Sequence, residues 1–230
     1  MNILTPRYPY RGVFVFEWQL DLVTVGSFCI SLHVKVLILH QHFNTPEKGG
    51  PLRSYFIARA LIERNISPVV VTTSSEPAYR VEVRDGIEVH YLAIPYQNSF
   101  GFFSRSISFL RFLIGSVWIA RKFRNVELCY AISVPLTVGV AGIWIKRLYG
   151  IPYIFEVGDL WPDAPIELGF IRNRFLRQFL LAVEKQIYRK AQCIVALSPA
   201  IADRIREKSG RTDIHTIPNM SDIEFFHRSK

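Results

Sequence analysis

The stretch Ile151-Pro-Tyr-Ile-Phe-Glu-Val-Gly-Asp-Leu-Trp-Pro-Asp-Ala-Pro165 determines how the rest of the sequence is interpreted. Its apolar run from Tyr153 to Val157 predicts a buried strand of the kind found in parallel sheets. Proline follows both Trp161 and Ala164, and a residue before proline disfavours the helical conformation. The sequence therefore predicts a strand that runs into an extended loop rather than into a helix.

Acidic and aromatic side chains are concentrated at the end of this strand: Glu156, Asp159, Trp161 and Asp163. In open α/β sheets, ligands bind at the carboxyl ends of the strands, so these side chains are candidate site residues. Spacing alone fits solvated strand-end acids equally well.

Strand and helix patterns alternate on both sides of this stretch, with short connections. The predicted strands cover 34–39, 68–73, 128–132, 153–157, 193–197 and 214–217, and the predicted helices begin near 51, 100, 135, 172 and 199. Asp85-Gly86 between alternating segments predicts a β-hairpin at a sheet edge. The last long helix, 172–190, is predicted to turn Phe175, Phe179, Leu180, Val183 and Ile187 inward. The order is typical of a single α/β domain with one Rossmann-like, doubly wound parallel sheet.

The composition favours anionic partners, because 28 Lys and Arg against 19 Asp and Glu give the 230 residues a net charge of +9. Cys29, Cys129 and Cys193 form no C-x-x-C pair, which argues against a disulfide scaffold or a zinc site and fits a reducing compartment. His40 and His42 have no third ligand nearby, which disfavours a metal site there. No cofactor is expected for the chain.

Residues 1–33 precede the first predicted strand. The apolar run from Leu22 to Val34 is shorter than the ~20 residues that span a bilayer. A signal peptide needs a basic start, a longer apolar run and a cleavage site, which this segment does not combine. We therefore expect neither a cleaved signal nor a membrane-spanning helix here.

Aromatic and basic residues interleave between positions 100 and 124. The candidate membrane-facing residues are Arg105, Arg111, Trp118, Arg121 and Lys122. Rings in the headgroup layer and cations on anionic lipid suit a membrane interface. A helix packed on the sheet, with long cations snorkelling outward, explains the composition equally well. Single-stranded nucleic acid is disfavoured, because no recognisable nucleic-acid motif accompanies the segment.

Gly49 and Gly50 lie directly before a helix that Pro51 is predicted to open. Free backbone N–H groups and the helix dipole favour an anion at such a terminus, although a plain tight turn also explains the two glycines. Other standard chemistries lack their motifs: the sequence has no G-x-G-x-x-G after the first strand, no G-x-x-x-x-G-K-[ST], no G-x-S-x-G and no D-x-D.

The remaining motifs occur in a characteristic order. They are 35–43, 46–50 with Arg53, 155–165, Glu184 with Tyr188 and Ala191, 195–199, and 217–219 with Asp222 and Phe226. In this order they resemble the amino-terminal domain of family-4 glycosyltransferases of the GT-B fold, especially bacterial surface-polysaccharide enzymes of the fucosaminyl type. The resemblance covers residues 35–226. It departs at Gly158, where close relatives usually carry Arg.

The resemblance implies a retaining transferase that moves a sugar from a nucleotide-sugar to an acceptor without a metal clamp. It places Gly49 and Gly50 beside the donor diphosphate, and Asp159 and Glu156 at the reacting sugar as catalytic residues. It assigns Arg53, Trp161 and Asp163 to the acceptor side, and Ser198, Asn219 and Asp222 to the interdomain cleft.

The resemblance also implies a division of the chain: an extension over 1–33, an acceptor-side domain over 34–217 and the start of an interdomain linker over 218–230. The donor domain of the family has no counterpart, so the chain alone is expected to be inactive. The expected partners are a nucleotide-sugar held by a missing or separate domain, a lipid-linked glycan acceptor and an anionic membrane surface, without nucleic acid. The expected location is the cytoplasm, with a peripheral position on the inner face of the cytoplasmic membrane as the alternative. The alternative is a non-catalytic acceptor- or membrane-binding module from a truncated gene.

Overall fold

The structure is a computed structural model that describes residues 34–97 and 99–219. The strands are β1 Lys35–Leu39, β2 Ser67–Ser74, β3 Arg80–Arg84, β4 Ile87–Ala93, β5 Leu128–Ile132, β6 Tyr153–Val157, β7 Ile194–Ala196 and β8 Ile214–Thr216. They form one eight-stranded sheet in the order β3-β4-β2-β1-β5-β6-β7-β8. Every neighbouring pair is parallel except β3 with β4. The predicted doubly wound parallel α/β sheet is confirmed.

Helices cover both faces of the sheet. They are α1 Arg53–Ile62, α2 Phe102–Ala120, α3 Leu136–Tyr149, α4 Asp163–Glu167, α5 Arg174–Lys190 and α6 Pro199–Ser209. On one face, α2, α3, α5 and α6 pack over alternate strand residues such as Leu37 and Phe155. On the other face, α1 packs over Ile38 and Val70. Because both faces are covered, the central strands are continuous apolar runs in the sequence.

The direction in which the chain adds strands to the sheet reverses between β1 and β5. From β1 the chain continues to β2 on one side, and from β5 it continues to β6 on the other. The carboxyl ends of strands at such a switch point border the crevice where ligands bind in doubly wound sheets. The fold therefore places the β1–α1 loop and the residues after β6 on the same edge of the sheet.

Two glycines bring α3 close to β6. A Cβ built on Gly139 would lie 2.6 Å from the Ile187 side chain and 2.8 Å from the Phe155 ring. A Cβ on Gly142 would lie 2.8 Å from the Tyr153 ring. Such distances do not occur between real side chains, so this helix–strand contact requires glycine at both positions.

The Asp-Gly hairpin prediction is confirmed in its turn. Asp85 has φ of 50° and Gly86 has φ of 80°, the two positive values that a type I′ turn requires. The hairpin is also an integral part of the main sheet. β4 pairs in parallel with β2, from Val69 opposite Glu88 to Ser74 opposite Ala93, which leaves β3 as the edge strand.

Two local predictions are wrong. The loop after β6 contains a short helix, α4, with Pro165 at its third position. Proline fits there because the first N–H groups of a helix have no intrahelical acceptor in any case. Part of the predicted inward face of α5 is also wrong: Phe175 is 82% and Phe179 63% exposed, whereas Ile187 is buried and Leu180 and Val183 pack against the core as predicted.

Candidate active site at the carboxyl ends of the strands

The β1–α1 loop ends in a left-handed turn at its two glycines. Gly49 has φ of 67° and Gly50 has φ of 88°, a conformation that favours glycine. A Cβ on Gly50 would also lie only 2.9 Å from Asn44 Nδ2. The amino terminus of α1 follows, and within the described chain it has neither a capping side chain nor an acid in its first turn. Its backbone N–H groups and its dipole are therefore available to an anion.

The first residue of α1 ties this loop to the end of β6. Arg53 Nε donates to Glu156 Oε1 at 2.7 Å, and Tyr130 Oη donates to Glu156 Oε2 at 2.7 Å. The Arg53 guanidinium also donates to the carbonyl oxygens of Ile217 and Pro218, at 3.0 and 2.9 Å. One side chain therefore joins α1, β6 and the chain beyond β8.

The Glu156 side chain is enclosed by the protein. It is fully buried, and each of its carboxylate oxygens accepts a hydrogen bond. Burial, followed by the charge of Glu156, raises the pKa of Tyr130 well above its usual value, so Tyr130 remains a neutral donor. In this geometry Glu156 holds Arg53 in place. Its predicted catalytic role remains a prediction.

Asp159 and Trp161 lie on the loop that leaves β6. Asp159 is exposed, which distinguishes it from the buried Glu156. Trp161 is half-buried and packs against the larger apolar cluster. The loop is fixed at its base, where Gly158 N donates to Ser133 Oγ at 3.2 Å. Of the two predicted catalytic acids, Asp159 is the one whose carboxylate reaches solvent beside this edge of the sheet.

Asp163 belongs to a group of charges between helices. Lys208 Nζ lies 2.7 Å from Asp163 Oδ2, an ion pair whose angle falls outside hydrogen-bond geometry. The same Nζ donates to Glu184 Oε2 at 2.8 Å and Oε1 at 3.0 Å, and Tyr188 Oη donates to Glu184 Oε1 at 2.8 Å. Burial raises the pKa of Glu184, and Lys208 opposes that shift. These contacts connect α4, α5 and α6, and the acceptor-side role of Asp163 remains a prediction.

The predicted interdomain residues lie at the far end of the described chain. Ser198 caps α6, because its Oγ accepts from Ile201 N at 3.2 Å. Asn219 is exposed, and Asp222 lies outside the described residues. Within the described chain, His, Cys, Asp and Glu side chains form no group of three that could hold a metal ion.

Sequence reasoning missed the partners that define these positions. Tyr130 and Lys208 had no predicted role, yet they hold Glu156 and Glu184. Both lie more than 20 residues from the acids they bind. A tyrosine in a buried strand and a lysine near a helix end are common, so the sequence carries little signal for either contact.

Comparison with protein families identifies the chain. A model of the glycosyl transferase 4-like domain matches residues 49–220. The chain belongs to this family. The matched range contains every predicted site residue except Asp222, and it begins at Gly49, the first of the two left-handed glycines.

Solved structures share the fold of this glycosyl transferase 4-like chain. Sucrose-phosphate synthase (tll1590) from Thermosynechococcus elongatus has a TM-score of 0.62 and 15% identity, over 83% of this chain and 49% of that chain. Anabaena Alr3699/HepE in complex with UDP-glucose has a TM-score of 0.51 and 18% identity, over 86% and 47%. Arabidopsis thaliana UGT89C1 complexed with UDP-L-rhamnose has a TM-score of 0.51 and 10% identity, over 80% and 51%.

This glycosyl transferase 4-like chain spans about half the length of those structures. It has the predicted fold, the Rossmann-like amino-terminal half of a GT-B glycosyltransferase. None of the curated proteins matches it in sequence.

The α2 helix of this family member presents an apolar stripe to solvent. Its exposed residues are Phe103, Ile107, Leu110, Ile114 and Trp118. Arg121 and Lys122 lie over the Trp118 ring, 5.1 and 5.6 Å from its centroid. Arg105 Nε donates to Phe100 O, and Arg111 Nη2 donates to Ala93 O. Among the predicted membrane-facing cations, Arg121 and Lys122 lie over the Trp118 ring of the stripe, and Arg111 borders Ile114 and Trp118.

By length and composition, the described part of the chain has one helix that could cross a membrane, and this is again α2. Length and composition are weak evidence, because a core helix passes the same test. Phe112, Ser116 and Ile119 on the other side of α2 are fully buried against the domain. The helix therefore has one face in the core and one face at the surface.

Proposed function

We propose that the chain is the acceptor-side half of a retaining glycosyltransferase in bacterial surface-polysaccharide synthesis, of the fucosaminyl type. It would move a sugar from a nucleotide-sugar to a lipid-linked glycan. The observation that carries the proposal is the link between Arg53 and Glu156, which fixes an uncapped helix amino terminus at the end of β6. An anion-binding terminus and the exposed Asp159 thus share one edge of the sheet.

Each part of this edge suits one step of the transfer. The backbone N–H groups at the amino terminus of α1 can donate hydrogen bonds to the charge that develops on the departing diphosphate, so the proposal assigns no metal to this step. Asp159 can orient the acceptor hydroxyl whose oxygen replaces the diphosphate on the sugar. Glu156 acts as a positioning residue through Arg53. Two of the structures with this fold were solved with a nucleotide-sugar, which supports that class of donor.

The proposal includes a second domain for the donor. Half a cleft leaves the reacting sugar in contact with water, and GT-B enzymes of twice this length supply the other half. We therefore infer that residues 34–217 act with a donor-side domain, whether it is joined to this chain or separate. The non-catalytic alternative would retain acceptor or membrane binding without turnover.

A turnover assay tests this function. The chain is incubated with a panel of nucleotide-sugars and polyprenyl-diphosphate-linked sugars, alone and together with a donor-side domain of a family-4 glycosyltransferase. We expect labelled glycolipid only in the combined samples, with the anomeric configuration of the donor retained by NMR. Product from the chain alone would contradict the need for a second domain. No product in any combination would favour the non-catalytic binding module.

We also propose that the α2 stripe docks the domain on the cytoplasmic face of the membrane, next to a lipid-linked acceptor. Apolar and aromatic side chains beside two cations are complementary to an anionic bilayer surface. The buried face of α2 keeps the helix part of the domain, so the proposed geometry lies along the membrane rather than across it.

Removing the two cations should weaken vesicle binding by about 30-fold at low salt, because each contributes ~1 kcal/mol near an anionic surface. The test is flotation of Arg121→Gln/Lys122→Gln with vesicles containing phosphatidylglycerol, and with neutral phosphatidylcholine vesicles. Arg177→Gln/Lys185→Gln removes the same charge from exposed positions on α5 and is the matched control. Equal losses in both variants, or equal binding to neutral vesicles, would contradict docking through α2.

A further inference from the structure

The strand β3 leaves one edge of the sheet open. It pairs with β4 on one side and is the outermost strand that the structure describes. A two-residue turn, Asp85-Gly86, joins the two strands, and the residues that flank such a turn, Arg84 and Ile87, form a hydrogen-bonded pair. Because bonded and non-bonded pairs alternate along the ladder, the N–H and C=O groups of Val81 and Val83 point away from β4. Within the described chain they meet no further strand, so a strand from another molecule can pair with them.

One row of side chains on this edge is apolar. Tyr79, Val81 and Val83 face the side of the sheet that carries α2, since Val81 lies opposite His90, whose ring contacts Phe123 after α2. Their exposed fractions are 40%, 46% and 72%. Proteins usually protect an open edge from pairing with another chain by charges or proline. On this side of the sheet the edge has no such protection, so its surface favours a partner strand.

The other row is charged and alternates in sign. Arg80 Nε donates to Glu82 Oε1 at 2.8 Å, and Arg84 Nε donates to Glu82 Oε2 at 2.7 Å. The hydrogen bond from Arg84, together with the charges of both arginines, lowers the pKa of Glu82, so this carboxylate is ionised at physiological pH. Like charges directly opposite each other destabilise a strand pair, and opposite charges stabilise it. The charged row therefore restricts which strand can pair with β3, and in which register.

A second β3 strand can pair in an antiparallel arrangement with a two-fold axis. Outward backbone groups must meet outward groups, so the axis lies at a residue rather than between two residues. An axis at Glu82 would place two Glu82 carboxylates opposite each other and Arg80 opposite Arg84, which makes every charged pair repulsive. An axis at Val83 would overlap only the last three residues of the strand, 82–84.

An axis at Val81 satisfies both rows. It places Arg80 opposite Glu82 in both directions, so each charged pair is attractive. It also places Val81 opposite Val81 and Tyr79 opposite Val83, so apolar side chains meet across the edge. The outward backbone groups meet one another and can form about six hydrogen bonds between the strands. The sequence of β3 is thus complementary to itself in this one register.

We propose that β3 pairs with β3 of a second copy of this chain about a two-fold axis at Val81, so that the two sheets become one. Each strand presents the same residues to the other, as in other two-fold dimers. A contact of this size is small, so the dimer is weak and reversible. Residues directly opposite each other share a face of the sheet, so the α2 stripes of both copies lie on the same side of the dimer. The inference does not depend on the proposed transfer reaction.

Cysteine cross-linking tests the register. It is carried out in a Cys29→Ser background, because Cys129 and Cys193 are buried. In Val81→Cys the two Cα atoms at the axis lie ~5.5 Å apart, which a disulfide can span. Val83→Cys is the matched control, since this position is more exposed but its two copies lie ~13 Å apart in the proposed register. We expect mild oxidation to link Val81→Cys at least about tenfold faster than Val83→Cys.

Sedimentation over a concentration series measures the association itself. We expect a reversible equilibrium of monomer and dimer for the whole chain. Val81→Lys should weaken the dimer at least about tenfold, because it places two lysines opposite each other at the axis. Leu148→Lys, at an exposed apolar position on α3, is the matched control and should dimerise as the wild type does. Val81→Lys should keep the melting temperature of the monomer, because the side chain it replaces is half-exposed.

Three results would overturn the proposal. They are a chain that stays monomeric throughout the series, equal dimerisation by Val81→Lys, and cross-linking of Val83→Cys at the rate of Val81→Cys. A dimer that Leu148→Lys weakens and Val81→Lys leaves intact would place the contact on the helices and would also exclude pairing through β3.

Discussion

Replacing Arg53 with leucine is expected to lower the melting temperature of the chain by roughly 6–20 °C. The guanidinium pairs with Glu156, whose side chain is 1% exposed. Removing one partner of a buried ion pair costs ~3–5 kcal/mol, and ~2–4 °C follow per kcal/mol in a domain of this size. The carbonyls of Ile217 and Pro218 lose their donor as well. Thermal unfolding followed by circular dichroism measures the change.

Two variants make the Arg53 prediction specific. Arg64→Leu removes an exposed guanidinium that donates to Ala60 O, and it should change stability by no more than ~0.5 kcal/mol. The double variant Arg53→Leu/Glu156→Leu removes both charges and should recover most of the loss, because apolar pairs often replace buried ion pairs without cost. A double variant as unstable as Arg53→Leu would show that the loss does not arise from an unpaired Glu156.

Replacing Lys208 with methionine should destabilise the domain by ~3–5 kcal/mol at neutral pH. The buried Glu184 then loses its cation, and Asp163 keeps only Arg204, whose Nε lies 3.7 Å from Asp163 Oδ2. Urea unfolding at neutral pH measures the loss. Lys185→Met, at an exposed position on the same helix as Glu184, is the control and should stay within ~0.5 kcal/mol of the wild type.

The loss in Lys208→Met should also depend on pH. Burial already raises the pKa of Glu184 above 4.5 in the folded chain. A raised carboxyl pKa favours the folded state below the unfolded pKa, and that contribution disappears as pH rises through the folded pKa. Without Lys208 the folded pKa of Glu184 rises further, so the variant should approach the wild type in stability as pH falls from 7 toward 5. A loss that stays constant over this range would exclude an uncompensated Glu184 charge as its cause.

The main strands could be predicted because local pattern determines them. Leu128–Ile132 and Tyr153–Val157 are apolar runs buried on both faces, and the structure has strands at those bounds. Helix ends could also be predicted from local sequence: Gly150, with φ of 75°, follows α3, and Ser198 caps α6. In each case the residue type has one backbone or hydrogen-bonding preference, and the fold uses it.

Periodicity predicted the buried side of α5 only over its second half: Leu180, Val183 and Ile187 lie there, whereas Phe175 and Phe179 are exposed. The same side carries Glu184 and Tyr188, which periodicity did not predict. Their burial depends on Lys208, 24 residues after Glu184. A charged residue becomes a core residue only through such a distant partner, and hydropathy assigns it to the surface.

The different burial of the two acids at the end of β6 also could not be predicted from local sequence. Sequence placed Glu156 and Asp159 together, three positions apart, as two equivalent strand-end carboxylates. The structure buries the first and exposes the second. The difference comes from Arg53, which is 103 residues from Glu156 in the chain.

The hydrogen bonds from Arg53 to the carbonyl oxygens of Ile217 and Pro218 have a mechanical consequence. The backbone that leaves the sheet there is clamped to the carboxylate at the end of β6 and to the first turn of α1. A torque applied to the polypeptide downstream of Pro218 is thus transmitted to the helix end that follows the glycine turn.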